Sequence, residues 1–446
     1  MYPSIYRAMR LFWPGGLETR RHLNELEYTQ RLSREELRAF QLARLRGLVK
    51  HAYERVPFYR ERYRREGIHP DDIQSLEDFH ALPFVNKEDI RANLDSMIAQ
   101  GFPKADLVPN HTGGSTGEPL HFFVGRSFWW WNAANEFRMR RWHGIREGER
   151  TAWIWGDQRD MPDWSWRRRL RARIMNQRFL NAFSLTRPKM EAFADMLVLW
   201  QPRLIIGYST ALFLFAQFLK GEGIDSIRPR LVEATAEKLW KPQRDLIEEV
   251  FHCPVVNHYS SREMGTMAYE CEQGALHALD DVRYMEVISD GEAAKPGELG
   301  EVVVTSFNHL AMPFIRYKND DVAIRSDERC ACGRGLSVIK EIVGRSNDYL
   351  VTSEGQFVHS EFFAYLLRAR PEVFSYQVYQ PDKRHLNIKI VCRQRVDPTW
   401  LDDVRRAIRS RFGDPMHISV ELVNDIELTP AGKHRYIISE VRPDFV

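Results

Sequence analysis

At 446 residues the chain is long enough for two or three domains and a substantial core, and 43% hydrophobic with 28% charged residues is ordinary for a globular protein. The formal charge of +3 is too small at this size to argue for nucleic acid as a partner. No apolar run reaches the roughly 18 residues that span a bilayer, and Arg7 and Arg10 break up the apolar residues at the N-terminus, so the expected location is the cytoplasm. Five cysteines, a low and odd count, argue against a disulfide framework and leave metal binding or plain burial.

Residues 1–75 read as helical, with Ser33 and Glu36 in a capping-box pattern and Pro57 interrupting the segment 51–63. Leu82-Pro83-Phe84-Val85 reads as a short extended run that enters a helix at Asn86, with Lys87 as an exposed helix-start lysine and a functional lysine as the alternative. In His111-Thr112-Gly113-Gly114-Ser115-Thr116-Gly117-Glu118-Pro119 three glycines alternate with hydroxyl side chains. Backbone N–H groups in such a loop can approach an anion closely, so it reads as a phosphate cradle, with a polar turn as the alternative. It is not a P-loop, because Glu118 and Pro119 stand where Lys and Ser or Thr would be needed.

His121-Phe122-Phe123-Val124 reads as a strand, and 127–144 as a helix whose Phe128, Trp129, Trp130, Trp131, Phe137 and Trp142 pack a core or wall an apolar pocket. Arg167, Arg168, Arg169, Arg171 and Arg173 read as a solvated helix face, with CoA phosphates or an anionic membrane surface as the alternatives. From 195 to 260 short apolar runs alternate with helical patterns, the signature of βαβ units on a parallel sheet. Ligands gather at the carboxyl ends of such strands, where Tyr208, Glu237 and Tyr259 fall. Beyond 280 the pattern turns to alternating strands, and a compact α+β tail runs from about 348 to 446.

Five segments then share one chemistry. The loop at 111–119, Tyr259-Ser260-Ser261-Arg262-Glu263, Ile315-Arg316-Tyr317-Lys318-Asn319-Asp320-Asp321, Gly344-Arg345-Ser346-Asn347-Asp348 and Leu428-Thr429-Pro430-Ala431-Gly432-Lys433 resemble, in order, the motifs of the adenylate-forming superfamily. Tyr53-Glu54-Arg55-Val56-Pro57-Phe58-Tyr59, Leu82-Pro83, Lys87 and the short length look like its phenylacetate–CoA ligase branch, which includes capsule-biosynthesis adenylating proteins and amide-forming ligases.

The resemblance implies an α/β fold: a large N-terminal adenylation domain with parallel and mixed sheets over 1–346, and a small mobile α+β lid over 347–446 hinged at Asn347. It implies that Thr112, Gly113, Gly114, Ser115, Thr116 and Gly117 hold ATP phosphates, with Glu237, Tyr259, Ser260, Ser261, Asp321 and Arg345 also on the nucleotide. Tyr259 would lie by the adenine, Asp321 and Arg345 on the ribose, Glu263 on Mg²⁺, and Lys433 over the reacting carboxylate and α-phosphate. The implied reaction joins a carboxylic acid, expected to be aromatic or apolar, to CoA through an acyl-adenylate. Transfer to an amine is the alternative.

Departures from the motifs are Ser260 for glycine, Arg262 for threonine, Asp320 for glycine, and Ala236 before Glu237 where the branch commonly has glycine. They motivate a further alternative, a non-catalytic ATP-binding relative. Cys271, His277, Cys330 and Cys332 offer a Cys/His set that suits a structural Zn²⁺, with buried free thiols as the alternative.

Overall fold

The computed structural model describes residues 15–112, 120–155, 166–182, 185–345, 349–352, 357–359, 361–368, 372–394, 396–413, 416–427 and 435–441. Its N-terminal part is helical as expected: α1 (Gly16–Thr29), α2 (Arg34–Arg55), α3 (Pro57–Arg65), α4 (Leu76–His80) and α5 (Lys87–Asn93). Ser33 and Glu36 form a reciprocal capping box at the start of α2, with the Glu36 N–H on Ser33 Oγ at 3.3 Å and the Ser33 N–H on Glu36 Oε2 at 2.8 Å. Helix α2 stops at Arg55 because Val56, the residue before Pro57, is pushed to an extended backbone, and Pro57 then starts α3 where no N–H is needed. Asn86 and Asp89 cap α5 in the same reciprocal way.

Strands β1 (Val108–His111) and β2 (His121–Val124) pair antiparallel with His111 opposite His121. This pairing brings together the two ends of the glycine-rich loop. The Thr112 N–H donates to the Leu120 carbonyl at 3.0 Å and the Leu120 N–H to Thr112 Oγ1 at 2.9 Å. Helix α6 (Arg126–Trp142) follows. Its Phe128, Trp131 and Trp142 are buried in three different apolar clusters, which favours core packing over a pocket wall for them; Trp129 is exposed.

After β3 (Thr151–Trp155), α7 (Trp166–Ile174) and β4 (Gln177–Asn181), which the sequence did not lead one to expect, the predicted βαβ run is present: α8 (Arg187–Trp200), β5 (Leu204–Tyr208), α9 (Ser209–Gly221), β6 (Leu231–Thr235), α10 (Lys241–Phe251) and β7 (Val255–Ser261). Strands β5 and β6 are buried along their whole length, which is why they read as short apolar runs. The chain then turns to β8 (Gly265–Glu270), β9 (Leu276–Ala278), β10 (Arg283–Ser289), β11 (Glu292–Ala293), β12 (Leu299–Ser306), β13 (Tyr317–Arg325) and β14 (Val338–Arg345).

All these strands from β3 onward join one 12-stranded sheet in the order β11-β10-β12-β13-β14-β9-β8-β7-β6-β5-β3-β4. The pairs from β4 to β7 are parallel, and β7 meets β8 antiparallel, so β7 is the seam between two pairing modes. The seam is where polar side chains accumulate.

The C-terminal residues form β15 (Tyr349–Val351), β16 (Phe357–His359), α11 (Glu361–Arg368), β17 (Val373–Asp382), β18 (His385–Cys392), α12 (Pro398–Phe412), β19 (His417–Leu422) and β20 (Ile437–Ser439). A four-stranded sheet, β19-β18-β17-β20, shares with both helices an apolar cluster drawn from 350–437. Among the described residues no helix is long and apolar enough to cross a membrane.

Candidate active site

At the carboxyl end of β7 the Tyr259 hydroxyl donates to Asp321 Oδ2 at 2.6 Å. The Asn319 side-chain amide donates to the Tyr259 oxygen at 2.8 Å and to Asp321 Oδ2 at 2.9 Å, while Asn319 Oδ1 accepts the Asp321 N–H at 3.1 Å. Between residues 319 and 321 the β12–β13 register shifts at a bulge, and this irregularity, not simple strand alternation, sets the two side chains beside each other. Asn319 is buried and fixes both partners. The position opposite Asp321 in the β13–β14 register is Arg345, so two residues expected at one ribose are strand neighbours.

One turn beyond β7, buried Glu263 accepts a hydrogen bond from Tyr317 Oη at 3.1 Å. Ser261 Oγ accepts the Met264 N–H at 3.1 Å and closes the turn. Ser260 Oγ lies 3.3 Å from Thr235 Oγ1, which itself donates to the His258 carbonyl at 2.8 Å. Behind the turn, the buried Arg283 guanidinium bonds the Met264 carbonyl and Asn132 Oδ1. A Cβ added to Gly265, whose φ is +68°, would lie 2.3 Å from that Asn132 oxygen, so the turn needs glycine there. Burial pushes the Arg283 pKa down to about 9, with Arg138 adding to the effect.

A charged cluster underlies β7. Glu233 on β6, wholly buried, accepts from Arg140 at 3.0 and 3.2 Å and faces His258 Nδ1 at 2.7 Å. Burial alone would raise its pKa; Arg140 and His258 outweigh it and hold the carboxyl well below the usual carboxylate range.

Asp320 adopts a left-handed backbone, φ +64°, which accounts for the glycine at this place in the motif. Its carboxylate pairs with Lys87. The expectation of an exposed helix-start lysine is thus corrected: only 15% of the Lys87 side chain is exposed, and it ties the start of α5 to the strand bearing Asp321. Ala236 is left-handed too, φ +67°, and the next residue, Glu237, accepts the Thr210 N–H at 2.9 Å and so caps α9. Buried Arg316, the arginine of the same motif, bonds Glu286 at 2.9 and 3.3 Å and the Leu82 carbonyl at 2.5 Å. It stacks over Phe84, 4.2 Å from the ring centre, and pins the 82–84 run.

The second constellation is Cys271, His277, Cys330 and Cys332, whose ligand atoms all lie within 4.8 Å of one another. The Cys271 and Cys330 sulfurs are 3.6 Å apart, and Cys332 Sγ is 3.3 Å from His277 Nε2. Tetrahedral zinc with thiolates at about 2.3 Å sets such ligands roughly 3.8 Å apart, so the donor set fits. His277 Nδ1 lies 3.1 Å from the Leu336 carbonyl, and a proton held there would leave Nε2 as the ligating nitrogen.

The structure therefore gathers Tyr259, Ser260, Ser261, Glu263 and Asp321 at the β7 seam, places Glu237 just past β6, and assembles the Cys/His set. Gly113, Gly114, Ser115, Thr116, Gly117 and Lys433 lie outside the described residues, as does the expected boundary at 346–347; of the loop at 111–119 only His111 and Thr112 are described. Sequence reasoning missed Asn319, Tyr317 and Lys87. The first two carried a signal, polar side chains at alternate positions leading to Asp321; Lys87 stands in the branch pattern, but its pairing with Asp320 gave no signal, since that partner lies 233 positions away.

A family model described as the CapK C-terminal domain matches residues 350–440. Protein CapK of Staphylococcus aureus is 26% identical over 395 residues, covering 86% of this chain and 85% of that protein. The phenylacetate-coenzyme A ligase of Pseudomonas putida is 27% identical over 399 residues, covering 86% and 88%. The chain is a relative of the phenylacetate–CoA ligase and CapK branch. A crystal structure of 2-hydroxyisobutyryl-CoA ligase in the postadenylation state superposes with a TM-score of 0.76 at 20% identity, over 92% of this chain and 91% of that one. The fold is thus that of the adenylate-forming ligases.

Proposed function

We propose that this chain is an ATP-dependent, AMP-forming ligase that activates a carboxylic acid as its acyl-adenylate and passes the acyl group to CoA. The observation that carries the reading is the Tyr259–Asn319–Asp321 cluster beside Glu263, at the carboxyl end of a parallel strand in a chain with the adenylate-forming fold. In the first step a substrate carboxylate oxygen attacks the α-phosphorus and the bond to the departing pyrophosphate breaks. In the second the CoA sulfur attacks the acyl carbonyl, AMP leaves, and the thiol proton passes to solvent.

Asp321, held by Tyr259 and Asn319, would accept both ribose hydroxyls, with Arg345 beside it. Tyr259 would flank the adenine, and Ser260 and Ser261 would face the α-phosphate. The glycine-rich loop from Thr112 to Gly117 would hold the β- and γ-phosphates, with its ends fixed by the β1–β2 pairing. Glu237 would border the nucleotide from its place after β6. Glu263 suits Mg²⁺, which takes one carboxylate and fills its other positions with water and phosphate oxygens; bound there, the ion would offset negative charge on the phosphates.

Residues 347–446 would act as a lid that carries Lys433 over the α-phosphate. Losing such a preorganised charge costs about 2.7–4 kcal/mol, or roughly 100- to 1,000-fold in rate. Lys433→Ala should therefore abolish acyl-adenylate formation and spare ATP binding. Normal pyrophosphate release by that variant would refute the assignment. The acid would be aromatic or apolar, as the many Trp and Phe residues of the chain suggest. Cys271, His277, Cys330 and Cys332 would hold a structural Zn²⁺, and the protein would work in the cytoplasm.

The deciding experiment is pyrophosphate release from ATP over a panel of aromatic and aliphatic acids, each run alone, with CoA and with mixed amines. Release with one acid, stimulated by CoA, is the expected result. Stimulation by amines alone would move the protein to the amide-forming ligases. No release with any acid, from a protein that binds ATP, would overturn the reading.

A further inference from the structure

Helix α7 turns an apolar stripe outward within a strongly basic stretch. Trp166, Leu170 and Ile174 are spaced four apart, so about 40° separates neighbours around the helix and the three share one face. They are 69%, 48% and 36% exposed. Ala172, about 200° round from the middle of the stripe, is half-buried, which places the stripe on the outward side. By the same spacing Arg171 falls on one flank and Arg173 on the other, and both are exposed. Residues 166–186 contain six arginines, Arg167, Arg168, Arg169, Arg171, Arg173 and Arg178, and no aspartate or glutamate, in a chain whose net charge is only +3. The helix leads into β4, the last strand of the 12-stranded sheet, so it lies at the sheet's lateral edge, away from the β7 seam.

We propose that α7 is an interfacial helix that docks the protein on an anionic lipid surface. A tryptophan at one end of an apolar stripe, with arginines on both flanks, suits the boundary between headgroups and acyl chains. The indole sits among the headgroups, Leu170 and Ile174 reach the hydrocarbon edge, and the guanidinium groups meet lipid phosphates. A soluble polyanion such as the phosphates of CoA would satisfy the arginines but leave Trp166, Leu170 and Ile174 in water, so the lipid surface accounts for more of the helix. With only three apolar residues the contact is reversible and needs both of its components.

The test is sedimentation of the full chain with vesicles of phosphatidylcholine alone and of phosphatidylcholine mixed with phosphatidylglycerol. Binding is expected only to the mixed vesicles and should fall as salt rises. Arg171→Ala with Arg173→Ala should weaken it about 30-fold. Arg171→Lys with Arg173→Lys should restore it, because the surface reads charge. Trp166→Ser with Leu170→Ser should weaken it at least about tenfold by removing the apolar component. All three variants change exposed side chains outside the nucleotide-side residues, so thermal midpoint and pyrophosphate release should stay as in the parent chain. Equal binding to both vesicle types, no binding to either, or unchanged binding by the alanine variant would overturn the proposal. So would a raised KM for CoA in that variant with vesicle binding intact, which would assign the arginines to CoA.

Discussion

The cluster proposed to hold the nucleotide draws Tyr259, Glu263, Asn319 and Asp321 from the end of β7, its turn and β13, each inside a run that reads as a motif. The Cys/His cluster draws Cys271 from the end of β8, His277 from β9, and Cys330 and Cys332 from the loop before β14, at spacings that match no common zinc pattern. It closes because β9 pairs with β14, His277 opposite Val338. In one cluster hydrogen bonds hold the groups in register for a ligand that comes and goes. In the other, sulfur and nitrogen atoms converge without carboxylates, as suits an ion that stays. Damage to the second should therefore cost stability, and damage to the first should cost turnover.

The largest effect is expected at the Cys/His cluster. Cys330→Ser should release bound zinc, read by elemental analysis, and lower the unfolding free energy by about 4 kcal/mol or more, the range in which metal loss falls. A chelator should lower the thermal midpoint of the parent chain and leave that of the variant unmoved. Parent protein without zinc, or a variant of unchanged stability, would return these cysteines to ordinary burial.

The converse result is expected at Asp321. Asp321→Asn removes the charge that Tyr259 and Asn319 orient, and a charge-assisted bond worth about 1.5–3 kcal/mol implies a loss of about 10- to 100-fold in kcat/KM for ATP. Asn319→Ala, which only frees the two partners, should cost about tenfold. Neither should change zinc content. If Asp321→Asn lowers stability rather than kcat/KM, the carboxylate is structural and the contrast between the clusters fails.

Much of the architecture was legible in the chain because its signals are local. Alternation of apolar runs and helical patterns over 195–260 marked β5, β6 and β7 of the parallel half of the sheet, and Ser33, Pro57 and Asn86 each mark a helix boundary by their own chemistry. What was not legible depends on distant partners. The Lys87–Asp320 pair joins a helix start to a strand, Arg283 and Asn132 support the Glu263 turn from β10 and α6, and the periodicity of α6 could not say whether its aromatic residues faced a core or a ligand. The phosphate loop, Lys433 and the hinge rest on their motifs alone.

A smaller effect separates the α6 side of the fold from both clusters. His309 is buried between Phe128 and Phe314, ring centroids 4.7 and 4.8 Å away. Burial, with Arg283 adding to it, pushes its pKa down to about 3. The unfolded chain, with an ordinary histidine near 6.5, then binds the extra proton throughout the window from about 6.5 to 3. Stability should thus fall as pH drops below about 6.5, by up to about 1.4 kcal/mol per pH unit from this residue. His309→Leu should flatten that slope by about one proton in urea unfolding at pH 7 and 5; an unchanged slope would show that the ring is protonated in the folded chain.

The smallest effect sharpens the comparison at two backbone positions of one kind. Ala236 and Asp320 both have left-handed φ values where the motifs have glycine, but Ala236 has an exposed methyl and no side-chain bond to offset its strain. A left-handed alanine costs about 1–2 kcal/mol, and glycine gives back part of the gain as chain entropy in the unfolded state. Ala236→Gly should therefore stabilise the protein by about 0.5–1 kcal/mol in urea unfolding. Aspartate tolerates the left-handed region better, and Asp320 holds Lys87, so Asp320→Gly should give no such gain and should raise the KM for ATP through the freed start of α5. Equal stabilisation at both positions would mean that backbone strain alone governs them and that the Lys87 pair contributes nothing to the nucleotide side.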